Sequence, residues 1–124
     1  DRQNSAHAHM VALSPDQNTL FVTDLGSDKI YVHGILADGR LAESHQEINI
    51  TPGNGPRHIR FNAKGDRAYL LNELSSDVDV FTVTGVELKK IQKLHTHLKT
   101  QINKIQFKYA QNPSWYAQAP QRLR

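Results

Sequence analysis

The chain has 124 residues and a formal charge of +3, from 15 lysines and arginines against 12 aspartates and glutamates, with 38% apolar and 22% charged residues. This is a globular composition that leaves room for one ordinary domain and excludes wholesale disorder. No apolar run approaches the roughly 18 residues of a membrane helix, the first residues lack a signal peptide's apolar core, and with no cysteine there is no disulfide, zinc–cysteine site or cysteine nucleophile. The expectation is a soluble, cytoplasmic chain. It starts at Asp1 and has its only methionine at Met10, which suggests a piece of a longer protein.

In chain order, Val11 and Leu13 alternate with Met10 and Ala12, the period of two that predicts a strand. Ser14-Pro15-Asp16-Gln17-Asn18 is turn chemistry, and a second strand follows around Phe21 and Val22. Ile30 and Val32 alternate with Lys29 and Tyr31, and Ala37-Asp38-Gly39-Arg40 is a hairpin signal before a strand near residues 41 to 50. The series then starts again. Asn62-Ala63-Lys64-Gly65-Asp66 is a turn, Val78 and Val80 alternate with Asp77 and Asp79, and Thr84-Gly85-Val86 marks another hairpin.

Sliding the sequence on itself by 48 residues, without a gap, places Val11, Leu13, Phe21, Val22, Asp24, Ser27, Ile30 and Val32 on Ile59, Phe61, Tyr69, Leu70, Asn72, Ser75, Val78 and Val80. Apolar positions meet apolar ones and polar meet polar. A sheet-forming repeat of this length, with about four short strands, is the size of a propeller blade. The expected fold is therefore all-β: a partial β-propeller of about two four-stranded antiparallel blades over residues 1–94. A small two-sheet sandwich made of the same strands is the plainer alternative.

Beyond Leu94 the repeat stops. Ile91, Leu94, Leu98, Ile102 and Ile105 are spaced by three or four, which predicts one face of a helix, and residues 111–124 have no clear period. Residues 95–124 are thus read as a divergent basic tail, helical and then irregular. Charge divides the chain in the same region: residues 1–87 hold seven basic and twelve acidic side chains, and residues 88–124 hold eight basic and no acidic ones. Lys89, Lys90, Lys93, Lys99, Lys104 and Lys108, with Tyr109, Trp115 and Tyr116, raise nucleic acid or an anionic membrane surface as partners. The abrupt loss of the repeat favours instead a broken frame without a selected role, so neither partner is expected.

His7-Ala8-His9, Leu13-Ser14-Pro15-Asp16, Pro52-Gly53-Asn54-Gly55-Pro56-Arg57-His58 and Leu71-Asn72-Glu73-Leu74 carry a resemblance over about residues 6 to 94. In order and spacing they resemble the His-x-His, Gly-Pro-Arg-His and Asn-Glu-Leu motifs of the bacterial 6-phosphogluconolactonase family, which are seven-bladed propeller lactonases. The resemblance implies hydrolysis of 6-phosphogluconolactone in the oxidative pentose phosphate pathway, with a phosphorylated sugar lactone as small-molecule partner, no cofactor and no metal. It implies His9, Arg57 and Glu73 as catalytic residues, with His7, Arg57 and His58 binding substrate. A related fungal branch cycloisomerises muconate, and a non-catalytic propeller binding module is the alternative from another class. With two blades of seven, the chain alone is expected to show little activity.

The chemistry suits these residue types. A neutral imidazole at His9 takes a proton from water and returns it, and the planar fork of Arg57 binds a phosphate or carboxylate or faces an oxyanion. Glu73 orients His9, pairs with Arg57 or acts as an acid–base partner; the sequence leaves these roles open. Arg57 and Glu73 as a plain inter-blade salt bridge is the competing explanation, and would stabilise little if exposed. His7, His9 and Glu73 are metal-ligand types without a fuller set around them. Gly53 and Gly55 fit a tight turn rather than a phosphate cradle, because no helix follows them.

Overall fold

A computed structural model describes residues 2–96, and over that span the regular structure is strand alone. The strands are β1 (Ala8–Leu13), β2 (Thr19–Asp24), β3 (Lys29–Ile35), β4 (Leu41–Asn49), β5 (Pro56–Phe61), β6 (Arg67–Asn72), β7 (Asp77–Thr84) and β8 (Glu87–His95). They form two four-stranded antiparallel sheets, β1-β2-β3-β4 and β5-β6-β7-β8, each a meander of sequence neighbours. The main contacts between the sheets run from β1 and β2 to β5, near the first strand of each unit. Two meanders stacked through their leading strands are two propeller blades, as the repeat predicts.

The turns explain why the repeat is so regular. After β1, Ser14 Oγ donates to Asp16 Oδ1 at 2.6 Å and accepts from Thr19 N at 3.0 Å. After β5, Asn62 takes the same place, donating to Asp66 Oδ1 at 2.8 Å and accepting from Arg67 N at 3.1 Å. Short polar side chains close both turns on their own backbone. Gln17 and Gly65, equivalent in the repeat, both adopt positive φ, and a Cβ on Gly65 would lie 2.9 Å from the Pro15 ring of the neighbouring blade. Glycine therefore serves there both the turn and the approach of the blades.

The core lies between the sheets. Phe21, Ile30, Val32 and Ile50 of the first blade meet Ile59, Ala68, Leu70 and Phe81 of the second, with the Phe61 ring tilted against Phe21, centroids 5.1 Å apart. Burying aromatic and branched side chains of this kind supplies about 1.5–3 kcal/mol each. Between the blades, Asp28 accepts from Gly53 N and Gly55 N, both at 2.8 Å, so these glycine amides belong to the linker turn.

Two readings of the C-terminal part change. Ile91 and Leu94 lie on strand β8, where Leu94 faces Val78, and not on a helix. Between Val80 and Phe81 the register slips so that Ile91 has no partner; this bulge interrupts the period of two and produces the three-residue spacing that imitates a helix. Lys90 and Lys93 reach back to buried carboxylates, Asp79 at 2.7 Å and Asp77 at 2.9 Å, and so serve the second blade as counterions. The described residues hold ten basic and eleven acidic side chains, so the folded part is close to neutral rather than strongly acidic. The helical and irregular reading of residues 97–124, with its remaining lysines and aromatics, lies outside the described residues.

Candidate active site

His9 and Arg57 are each the extra residue of a β-bulge. On β1, Ala8 faces Asp24 and Met10 faces Thr23; on β5, Pro56 faces Asn72 and His58 faces Leu71. The residue between has no partner on the neighbouring strand. A bulge re-aims its side chain and bends the strand, a device common beside active sites. The two bulges sit at the same repeat position of adjacent blades, and Thr23 Oγ1 joins them, donating to Arg57 O at 2.7 Å.

Glu73 directly follows β6 and is brought to β5 by its own amide, which donates to Gly55 O at 2.8 Å. Its carboxylate accepts from Arg57 Nη1 at 2.7 Å through Oε2. This ion pair lies within the second blade, not between blades as the salt-bridge alternative has it. Both side chains are partly shielded, so the pair is held more tightly than a fully exposed one. The other carboxylate oxygen, Oε1, pairs with Arg2 Nη1 at 3.0 Å. Arg2 is a residue that sequence reasoning did not single out. It precedes the His-x-His motif in a stretch without period, and only its contact across to the second blade reveals it.

His58 stands edge-on to His9, ring centroids 5.3 Å apart. Burial, and then the positive surroundings of Arg57, His9 and Arg60, hold the His58 imidazole below its ordinary range, against a smaller opposite pull from Glu73. Two buried polar atoms here have no partner: His9 Nδ1 and Arg57 Nε. Buried nitrogens without partners are unusual, and these two lie on neighbouring candidate residues.

His7 stands apart from this cluster. Its backbone is well fixed, N donating to Asp24 Oδ1 at 2.7 Å and O accepting from Leu25 N at 3.0 Å, but its side chain is exposed. The structure thus gathers His9, Arg57, His58 and Glu73 and leaves the His7 ring outside. Among the described residues no three His, Asp or Glu side chains converge as a metal site. Chemically, the arrangement offers imidazole beside a guanidinium, with a carboxylate fixing the guanidinium: a proton carrier next to an oxyanion or anion donor.

Comparison with known proteins agrees with the motifs. The family model described as "Lactonase, 7-bladed beta-propeller" matches residues 1–114. The 6-phosphogluconolactonase of Bacillus subtilis is 39% identical over 94 residues, 74% of this chain and 26% of that protein. The 6-phosphogluconolactonase of Formosa agariphila is 34% identical over 102 residues, 80% of this chain and 29% of the relative. The solved periplasmic gluconolactonase of Pseudomonas aeruginosa superposes with a TM-score of 0.70 at 37% identity, covering 79% of this chain and 28% of its own. The chain spans about a quarter of the length of the curated relatives it matches. With two stacked blades, bulged His9 and Arg57, and the family's motifs at the blade junction, the chain belongs to the seven-bladed β-propeller lactonases.

Proposed function

We propose that these blades carry part of the active site of a lactonase that hydrolyses 6-phosphogluconolactone to 6-phosphogluconate without a cofactor. The observation that carries this reading is the meeting of two bulge residues, His9 and Arg57, with His58 and Glu73 at one blade junction. His9 takes a proton from water as the water oxygen bonds to the lactone carbonyl carbon. The oxyanion that forms faces the Arg57 guanidinium. Collapse breaks the ring carbon–oxygen bond, and the proton on His9 passes to the leaving ring oxygen, which becomes a hydroxyl. Glu73, engaged by arginines on both oxygens, holds Arg57 rather than carrying a proton.

The test is hydrolysis of 6-phosphogluconolactone by a closed ring containing these blades, followed by proton release. His9→Ala and Arg57→Ala are each expected to lower kcat at least about 100-fold. Undiminished turnover in both would remove this site assignment, and an inactive unmodified ring would favour a non-catalytic binding module. Location in the cytoplasm is part of the same proposal. Among the described residues no helix is long and apolar enough to cross a membrane, and one relative is named periplasmic, so cell fractionation decides it.

A further inference from the structure

Glu73 is a spacer between two guanidinium groups, Arg57 on Oε2 at 2.7 Å and Arg2 on Oε1 at 3.0 Å. One carboxylate charge against two guanidinium charges leaves local positive charge in a molecule whose described part is otherwise close to neutral. Arg2 is not there by default. Its segment is pinned to the end of β2 by Gln3 Nε2, which donates to Leu25 O at 3.0 Å, and by His7 N on Asp24 Oδ1 at 2.7 Å. Gly26 makes the room: a Cβ there would fall 1.8 Å from Ser5 O. Leu25, which receives the Gln3 bond, is the repeat equivalent of Glu73 itself.

An ion pair with one partner half-exposed stabilises a fold only slightly, too little to account for this much anchoring. A half-exposed guanidinium with one nitrogen on a carboxylate does, however, have further N–H donors to offer, and the fork of arginine matches a phosphate better than a lysine would. A phosphorylated lactone has two anionic features during hydrolysis: the phosphate throughout, and the oxyanion as it develops. Two forks set on opposite oxygens of one carboxylate supply one donor group for each of these anionic features.

We propose that Arg2 is a specificity-determining residue that binds the phosphate of the substrate, while Arg57, on the other side of Glu73, faces the reacting ester. This rests on the lactonase reading above. In a closed ring containing these blades, kcat/KM is measured with 6-phosphogluconolactone and with unphosphorylated gluconolactone for Arg2→Ala and Arg2→Lys. Arg2→Ala is expected to lower kcat/KM for the phosphorylated lactone, through KM, about 10- to 100-fold more than for the unphosphorylated one. Arg2→Lys recovers part of the loss. Inorganic phosphate, titrated calorimetrically against the chain itself, binds more weakly to Arg2→Ala by a similar factor.

An equal fall for both lactones would overturn the proposal, because it would mean that Arg2 acts only by positioning Glu73; so would no change for either. If the unmodified ring hydrolyses neither lactone, the lactonase reading fails, and the phosphate titration decides Arg2 separately: weakened binding in Arg2→Ala upholds the anion site, and equal binding overturns it. Far-ultraviolet circular dichroism of the variants confirms that the blades are intact.

Discussion

At equivalent positions of the repeat the two blades meet different surroundings: Val11 is 61% exposed where Ile59 is fully buried, and Phe21 is fully buried where Tyr69 is 43% exposed. The exchange extends along the unit. On β3 the buried side chains are Ile30 and Val32, whereas on β7 Asp77, Asp79 and Phe81 are buried, positions equivalent to Lys29, Tyr31 and His33; Val80, the equivalent of Val32, is the exception, buried in both blades. Side chains alternate across a strand, so a sheet has two faces, and a blade stacks one face on the opposite face of its neighbour. The first blade contributes one face of the repeat to the shared core and the second contributes the other. A blade sequence must therefore supply residues that can be buried on both faces, while any one interface uses only half of them.

The same exchange governs the polar positions. Asp24 and Asn72 are equivalent, yet Asp24 Oδ1 accepts from His7 N, Gly26 N and Ser27 N at 2.7, 2.9 and 3.0 Å. Asn72 instead donates to Asp77 Oδ1 at 2.7 Å and Asp79 Oδ2 at 3.0 Å, in the second blade's buried face. One position closes a turn and docks the N-terminal segment; the other donates hydrogen bonds to a carboxylate pair whose charge Lys90 and Lys93 balance.

The comparison breaks most sharply if the second blade is made to copy the first. Asn72→Asp would bury a third carboxylate against Asp77 and Asp79, and is expected to destabilise by about 3–5 kcal/mol at neutral pH, read from urea unfolding. In the same assay Phe21→Ala should cost about 3–5 kcal/mol and Ile59→Ala about 2–5, while Val11→Ala stays within about 0.5. Equal losses at Val11 and Ile59 would mean that the faces are not partitioned as described. A smaller effect is expected from Thr23→Val, which removes the hydroxyl that bonds Arg57 O and should cost about 0.5–1.5 kcal/mol.

The smallest effect is a dependence on pH that separates the blades. Burial raises the Asp77 carboxyl, but hydrogen bonds from Asn72, Lys93 and Ser75 together outweigh it and leave the group below its ordinary 3.8. The folded state then binds this proton less readily than the unfolded chain. The stability it contributes is complete above pH 3.8 and is lost as pH falls through the lowered value. The repeat equivalent of Asp77 is Lys29, and the first blade's lowered carboxyls, Asp16, Asp38 and Glu47, are exposed and contribute less, so hydrogen exchange below pH 3.8 should open β7 and β8 before β2 and β3. His58 acts in the same direction higher up: its lowered value means that the unfolded chain takes up a proton first, and stability declines as pH drops below 6.5.

Much of the fold was legible because it is written locally. The 48-residue shift carries β1 onto β5 and β2 onto β6 residue for residue. It fails by two residues at β4 and β8, because β3 and β4 are joined by residues 36–40, and β7 and β8 by Gly85 and Val86 alone, with Gly85 at positive φ. At the site, the motifs led to His9, Arg57, His58 and Glu73, which the structure gathers, and to His7, whose ring it leaves exposed. The bulges were not legible, since an extra residue in one strand is defined only by its partner strand. Nor was Arg2, which has no pattern of its own.

The sequence by itself determined the strands, the turns and the repeat, because alternation and turn chemistry act between residues close in the chain. Only the tertiary structure decided which face of each blade is buried, that Lys90 and Lys93 serve Asp79 and Asp77, and that Arg2 and Arg57 share Glu73. The physical reason is that burial and ion pairing are settled by which surfaces meet, and alternation along a strand leaves open which of the two faces of a repeat a neighbouring blade covers.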